Sequence, residues 1–314
     1  MKQNRKVAII GMGHVGSHVA SMLITRGICD ELVLIDSNEE KMRAQTADLA
    51  DSLAYQEQHC RIYWGDYSDI SDADIVVLSV GGKIFDENRL EELESSMEIV
   101  DEIAPKIEKS KFRGIVISIT NPCDLVAYYL QRKITATVIG TGTALDSARF
   151  RIRVAQAFHV DVKSVDAICI GEHGDSQVPV WSQVRIGGKL LNEISQEKGE
   201  SCIDFDRRKI EKSTVFAGWE IANAKGSTEF GIGSAASELI KAIFSDANMV
   251  LPCSVLLKGT YGEDDIYTSV PCLIGRSGVK EIWELPITED EKKAFHQSCR
   301  LLRNYIDRKM GTRL

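Results

Sequence analysis

Short runs of apolar, often β-branched residues alternate with amphipathic stretches over the first part of the chain. The runs predict buried strands followed by helices, beginning with a strand at Lys6–Ile10 and a helix at Val15–Arg26. Most runs are apolar at every position, which is typical of parallel strands that helices cover on both faces. The alternation therefore predicts a doubly wound α/β domain with right-handed crossovers. The other predicted strands are Leu32–Ile35, Arg61–Trp64, Ile75–Val80, Ile115–Ile119 and Thr137–Ile139.

The pattern is less regular in the second half of the chain. Short strand-like runs with Gly-rich turns between residues 249 and 285 predict antiparallel pairing. Thr288, followed by Glu291, resembles a capping box that opens a last helix ending near Met310. We therefore divide the chain into residues 1–140 and 141–314. Further helices are predicted at Leu145–Phe158, Phe205–Ala224 and Ser234–Phe244, and a strand at Val165–Ile170.

Composition narrows the classes of function. The chain has 314 residues, 44% of them hydrophobic, and a net charge of 38 − 46 = −8 with both signs interleaved, which argues against a nucleic-acid partner. No stretch approaches the roughly 20 apolar residues of a membrane span, and the apolar run after the basic start is too short for a secretory signal. The eight cysteines form no CxxC pair, so we expect no metal site and reduced thiols in a cytoplasmic protein.

A glycine-rich turn, Gly11-Met12-Gly13-His14-Val15-Gly16, lies between the first predicted strand and helix. Gly11 permits the tight turn, Gly13 lets a pyrophosphate approach the backbone, and Gly16 lets the helix pack on the strand. Free N–H groups at the helix start, around Val15, face the phosphate charge. In this context the motif predicts a dinucleotide site.

Asp36 follows the second predicted strand, 20 residues after Gly16. Its carboxylate can accept hydrogen bonds from both ribose hydroxyls and would repel a 2′-phosphate, so NAD is favoured over NADP. The alternative is a plain capping role, because Asp36-Ser37-Asn38 also suits the start of a helix.

Three side chains offer proton and carboxylate chemistry. His173 lies in a Gly-flanked turn, and an imidazole is suited to proton exchange near neutrality. Asp146 could hold one ring nitrogen of His173 and leave the other for a substrate oxygen. Arg149 shares a helix face with Asp146 and could clamp a substrate carboxylate through two hydrogen bonds. The alternative is that these side chains never meet and that Arg149 is a solvated surface residue.

The chain resembles the L-lactate/L-malate dehydrogenase family, and its lactate-type L-2-hydroxyacid branch most closely. The resemblance extends over nearly the whole chain, and several motifs in one order make it specific. The resemblance implies an NAD-binding Rossmann domain followed by an α+β substrate domain, and a homo-oligomer, either tetramer or dimer. The motifs that carry it are Gly11–Gly16, Asp36, Thr120-Asn121-Pro122-Cys123-Asp124, Gly140-Thr141-Gly142-Thr143, Leu145–Arg151 and Gly171–Ser176.

The resemblance also implies roles for single residues. His173 would be the acid/base, Asp146 its orienting carboxylate and Arg149 the clamp on the substrate carboxylate. Arg89 would polarise the ketone from a mobile loop that closes and excludes water. Two further positions match the family's substrate pocket: Asn121, which also faces the nicotinamide, and Thr228. The implied reaction converts a 2-oxo acid such as pyruvate, with NADH and a proton, into an L-2-hydroxy acid and NAD⁺.

The loop before Arg89 departs from the lactate-type pattern, because it has no proline and is one residue shorter. Ile84 and Phe85 could form an apolar wall for branched 2-oxo acids, as in an L-2-hydroxyisocaproate dehydrogenase. Lys83 could instead pair with a second carboxylate, as in a malate dehydrogenase. A different class, a non-catalytic NAD-binding sensor, would need none of the proton chemistry. We favour the lactate type over these alternatives.

Many bacterial members of this family are activated by fructose 1,6-bisphosphate, using a histidine seven residues before the catalytic one. Here that position is Asp166, whose charge would repel phosphate. We therefore expect weak or absent activation. Assays of the KM for the 2-oxo acid with and without this effector test the expectation, and a large fall in KM would contradict it.

Overall fold

The computed structural model describes residues 4–81, 89–198 and 205–311, except for the side chains of residues 89–91, 195, 197 and 198. Its centre is a nine-stranded sheet of order β3-β2-β1-β4-β5-β6-β12-β13-β14. The strands of that sheet are β1 (Lys6–Ile10), β2 (Glu31–Ile35), β3 (Arg61–Trp64), β4 (Ile75–Leu78), β5 (Ile115–Ser118), β6 (Thr137–Gly140), β12 (Met249–Lys258), β13 (Asp264–Gly275) and β14 (Gly278–Ile282).

The first six strands are parallel and have the order of a Rossmann sheet, so the predicted fold class is confirmed. Val7 of β1 pairs with Leu32 of β2 and Ile75 of β4 at the centre, where all three side chains are fully buried. The predicted strand at Arg61–Trp64 is the edge strand β3, whose residues are partly exposed. Its position at the edge explains why its sequence is less apolar than that of the central strands.

Helices cover the parallel part of the sheet and alternate with short strands in the second half of the chain. The predicted helices are confirmed within a few residues of their ends, except that the one predicted from Ser234 begins at Phe230. The helices of the described residues are α1 (His14–Thr25), α2 (Glu39–Ser52), α3 (Arg89–Ser110), α4 (Cys123–Gln131), α5 (Ala144–Phe158), α6 (Leu191–Lys198), α7 (Arg207–Lys225), α8 (Phe230–Phe244) and α9 (Glu289–Tyr305).

The antiparallel strands predicted between residues 249 and 285 are confirmed, and they extend the parallel sheet. Ser254 of β12 pairs with Gly140 at the end of β6, and β12 pairs antiparallel with β13 over most of its length. The sheet is therefore continuous between the two halves of the chain. This junction brings β12 and β13 to the carboxyl ends of β5 and β6.

The prediction of a single strand at Val165–Ile170 is wrong. The segment holds two short strands in different sheets, β7 (Val165–Asp166) and β8 (Cys169–Ile170), because Asp166 pairs with Arg185 while Cys169 pairs with Pro179. An apolar run does not reveal such a change of partner. The remaining short strands are β9 (Val178–Pro179), β10 (Arg185–Ile186) and β11 (Lys189–Leu190).

The capping box is confirmed at the start of α9. Thr288 Oγ1 accepts a hydrogen bond from the N–H of Glu291, and the Glu291 carboxylate accepts one from the N–H of Thr288. The same carboxylate accepts two hydrogen bonds from Ser182, so it also joins α9 to the short 3₁₀ turn Trp181–Gln183. A π-helical turn then continues the chain from Ile306 to Met310. Within the described residues, no helix is both long and apolar enough to span a bilayer.

Candidate active site

A cleft of about 440 Å³ opens at the carboxyl ends of the parallel strands. Its floor is formed by the turn after β1 and by the segments that follow β4, β5 and β6. Its other walls are the start of α5, the turn that carries His173, and the facing side of α7 with the connection to α8. Ligands of doubly wound proteins bind at this edge of the sheet, at the point where the strand order reverses.

In the glycine turn after β1, Gly11 and Gly16 are required by close backbone packing, whereas the space beside Gly13 is open. Gly11 has a φ of +95°, and a Cβ there would lie 2.3 Å from the carbonyl oxygen of Ser79. A Cβ at Gly16 would lie 2.0 Å from the carbonyl oxygen of Gly11. By contrast, no atom lies within 4 Å of a Cβ built at Gly13, which precedes α1 and lines the cleft next to Val15. The open space at Gly13, beside free helical N–H groups, fits the close approach of a pyrophosphate.

Asp36 lies directly after β2 and contacts this turn. Its Oδ2 accepts a hydrogen bond of 2.8 Å from the N–H of Met12, and its Oδ1 accepts one of 3.1 Å from the N–H of Asn38. The capping residue of α2 is Asn38, whose side chain accepts from the N–H of Lys41. The carboxylate is thus held beside the dinucleotide turn, and each oxygen keeps lone pairs for ribose hydroxyls.

The structure brings His173, Asp146 and Arg149 together. Asp146 Oδ2 lies 2.6 Å from His173 Nδ1, and Asp146 Oδ1 accepts a hydrogen bond of 3.0 Å from the guanidinium of Arg149. Asp146 is buried, with a side-chain exposure of 1%, whereas the His173 side chain is 24% exposed to the cleft. Because Asp146 and Arg149 are three residues apart in α5, they share one face of the helix.

The charges around His173 and Asp146 determine the pKa values of both side chains. Burial lowers the pKa of His173, but the charge and hydrogen bond of Asp146, together with the charge of Asp124, raise it above its ordinary value against the opposing charge of Arg149. Burial raises the pKa of Asp146, yet His173 and Arg149 outweigh burial and hold that pKa below its ordinary value. Asp146 therefore stays ionised and favours the imidazolium form of His173.

The turn that carries His173 is fixed by backbone pairing with β13 and by a buried hydroxyl of α9. Gly171, with a φ of +89°, exchanges two backbone hydrogen bonds with Ser269 of β13. Ser298 of α9 accepts a hydrogen bond of 2.8 Å from the N–H of Glu172, and a Cβ at Gly171 would lie 2.8 Å from its Oγ. The histidine backbone therefore has little freedom to move.

The remaining predicted residues are placed as follows. Asn121 lines the cleft, and its carbonyl oxygen accepts a hydrogen bond of 2.7 Å from Ser96 of α3. Thr228 lies half-buried in the wall between α7 and α8. Arg89 is the first residue of α3, and its side chain lies outside the described part of the chain. The predicted loop residues Lys83, Ile84 and Phe85 also lie outside the described residues.

Sequence reasoning assigned no role to α7, which lines the cleft, or to Asp124, which contacts the His173 backbone. Val215 and Trp219 of α7 form an apolar wall, and Gly218 brings that helix close to the guanidinium of Arg149, because a Cβ there would lie 3.5 Å from one of its nitrogens. Asp124 of α4 accepts a hydrogen bond from the backbone N–H of His173. Asp124 belongs to a motif that carries the family resemblance, whereas no pattern in the sequence distinguishes the cleft-facing positions of α7.

Comparisons with known proteins match both halves of the chain. Residues 5–139 match the lactate/malate dehydrogenase NAD binding domain, and residues 143–312 match the lactate/malate dehydrogenase alpha/beta C-terminal domain. An L-lactate dehydrogenase of Fusobacterium nucleatum subsp. nucleatum is 40% identical over 311 residues, which is 98% of each chain.

Solved structures agree with this match. The minor L-lactate dehydrogenase of Enterococcus mundtii, in its ligands-bound form, superposes with a TM-score of 0.93 at 36% identity and covers 98% of this chain and 99% of its own. The Cryptosporidium parvum lactate dehydrogenase, complexed with lactic acid and nicotinamide adenine dinucleotide, gives a TM-score of 0.90 at 31% identity, with 97% and 98% covered. This chain belongs to the lactate/malate dehydrogenase family.

Proposed function

We propose that the protein is an NAD-dependent L-2-hydroxyacid dehydrogenase of the L-lactate type. One observation carries the proposal: an imidazole held by a buried carboxylate faces a cleft, beside an arginine that the same carboxylate holds. The L-lactate dehydrogenase relatives and the NAD binding domain of the first half support the same reaction.

The proposed chemistry needs one proton and one hydride. In the direction of reduction, His173 Nε2 donates a proton to the ketone oxygen, because Nδ1 is bound to Asp146 and leaves Nε2 for the substrate. Asp146 stabilises the imidazolium form before the transfer. Bound NADH supplies the hydride to the ketone carbon.

Arg149 is placed to orient the substrate. Its side chain lines the cleft with 11% exposure, and one of its nitrogens is bound to Asp146. The other donors of the guanidinium can bind the carboxylate of a 2-oxo acid, with charge-assisted hydrogen bonds that contribute about 1.5–3 kcal/mol each. This local cation attracts an anionic substrate although the chain as a whole carries a charge of −8.

Cofactor and substrate roles divide near Gly140 in this proposal. Residues 1–140 hold the dinucleotide through Gly11, Gly13, Val15, Gly16 and Asp36. Residues 141–314 supply the acid/base pair, the clamp and the wall at Thr228. Asn121, in the first half, is assigned to both ligands, Arg89 to the ketone oxygen, and Lys83, Ile84 and Phe85 to the substrate side chain.

The proposed enzyme is a cytoplasmic homo-oligomer, a tetramer or a dimer. Large apolar side chains are exposed on α5, α7 and α8, including Ile152 at 44%, Phe216 at 44% and Phe230 at 61%, and such surface is often covered in an assembly. The cysteines of the described residues are free and buried, as expected in a reducing compartment. Light scattering of the purified protein tests the assembly, and the mass of a single 34.8 kDa chain at assay concentration would contradict it.

We expect pyruvate to be reduced faster than 2-oxoisocaproate or oxaloacetate when NADH absorbance is followed with the three acids in parallel. A preference for 2-oxoisocaproate would instead assign Ile84 and Phe85 to a wider pocket, and a preference for oxaloacetate would assign a carboxylate partner to Lys83. Turnover of none of the three, with NADH still bound tightly, would contradict the proposed function and favour a sensor.

The two directions should show opposite pH trends. Reduction needs the imidazolium of His173, so its rate should fall as the pH rises through the raised pKa of that group. Oxidation needs neutral imidazole, so its rate should fall as the pH drops. The pH profiles of kcat/KM in both directions test this, and equal optima, after allowance for the proton of the overall equilibrium, would contradict the role of His173.

We expect Asp146→Asn to lower kcat about 10²-fold or more, because an amide of the same shape cannot stabilise the imidazolium of His173. The measurement is the pH profile of each reaction direction. The matched control is Asp48→Asn, since Asp48 is exposed on α2. Similar rates in the two variants would show that Asp146 does not act on His173.

A further inference from the structure

A second buried carboxylate contacts the backbone of His173. Asp124 is the second residue of α4 and is 2% exposed. Its Oδ2 accepts a hydrogen bond of 2.7 Å from the backbone N–H of His173, and its Oδ1 accepts one of 2.5 Å from Ser254 Oγ of β12. One carboxylate thus joins α4, β12 and the histidine turn.

We propose that Asp124 is a positioning residue for the acid/base step, holding the backbone of His173 in place and stabilising its imidazolium form through its charge. Asp146 holds the ring of the same histidine, so the imidazole would be oriented by two carboxylates, one on the ring and one on the main chain. The inference rests on the proposed function, because it assigns a role within the same proton transfer.

The charge of Asp124 is buried beside the backbone of His173: the carboxylate is 2% exposed and lies 2.7 Å from the histidine's backbone nitrogen. A charge that is largely removed from solvent acts on its neighbours more strongly than one in water does. The negative charge of Asp124 raises the pKa of His173 in the same direction as Asp146, and Arg149 opposes both. Glu172, Cys123 and Cys299 also face this region with their titratable groups.

Two opposing effects determine the pKa of Asp124. Burial raises its pKa to about 6, while its hydrogen bonds from Ser254 and from the His173 backbone, and the charge of His173, limit the rise. Its position in the first turn of α4 adds the favourable field of a helix N-terminus. The carboxylate is therefore ionised at neutral pH and becomes neutral as the pH falls through about 6, where its effect on His173 disappears.

The alternative is a purely structural role, in which Asp124 only satisfies a buried N–H group and a buried hydroxyl. Asp124→Asn separates the two roles. Asparagine keeps the shape, its carbonyl oxygen can still accept from the His173 N–H, and its amide can donate to Ser254 Oγ, but the charge is lost. A structural role predicts an unchanged titration of His173, whereas the proposal predicts a lower pKa.

The test follows the titration of His173 by NMR of histidine-labelled protein without substrate, with the signal assigned from His173→Gln. We expect the midpoint of Asp124→Asn to move to lower pH. In kinetic assays, the ratio of the reduction rate at pH 8 to that at pH 6 should fall about three- to tenfold. The matched control is Asp101→Asn, which removes a carboxylate that binds Tyr129 of the same helix α4 but does not face His173.

An unchanged midpoint in folded Asp124→Asn would overturn the proposal. If that variant fails to fold, Ser254→Ala replaces it: loss of the hydroxyl raises the pKa of Asp124, so the His173 midpoint should again move down, by less. An unmoved midpoint there would also overturn it. Because the NMR titration needs no turnover, failure of the proposed reaction in the wild type is distinguishable from failure of this inference.

Discussion

The arrangement of the candidate site depends on one buried carboxylate that two cations share. Asp146 is enclosed by protein, and an ionised carboxylate in such a place is costly unless it is paired and hydrogen-bonded. His173 and Arg149 satisfy one oxygen each. The pairing therefore stabilises the carboxylate and, at the same time, directs the proton donor and the carboxylate clamp to the same side of the cleft.

This pairing works only because the turn of His173 is held from several sides. Ser269 of β13, Ser298 of α9 and Asp124 of α4 all bind backbone groups between Gly171 and His173. These elements come from widely separated parts of the chain. The antiparallel strands that extend the parallel sheet thus contribute directly to the site, since they bring Ser254 beside the start of α4 and Ser269 beside Gly171.

The cofactor turn and the substrate wall are also connected. Glu229, which directly follows Thr228, accepts hydrogen bonds from Lys225 and Ser227 and lies 3.2 Å from the ring of His14 in the glycine turn. The helices α1 and α8 pack against each other at this point. Glu229 therefore joins the two sides of the cleft through its contact with His14, in addition to the sheet.

Local patterns in the sequence were sufficient for much of the fold and part of the site. The buried strands, the glycine turn, Asp36 and the capping box at Thr288 and Glu291 depend on neighbours within a few residues or on one face of one element, so periodicity and spacing reveal them. The family resemblance added the pairing of Asp146 with His173, which lie 27 residues apart and touch in the structure.

Only the tertiary structure decided the rest. The change of sheet between Asp166 and Cys169, the attachment of β12 to β6 and the apolar wall from α7 depend on partners that are distant in sequence. Asp124 is the clearest case: its motif carries the family resemblance, but neither that motif nor its place at the start of a helix shows which group the carboxylate contacts. Its contact with the His173 backbone exists because α4, β12 and the histidine turn meet at one buried point, and a contact between three distant segments leaves no periodic pattern in any of them.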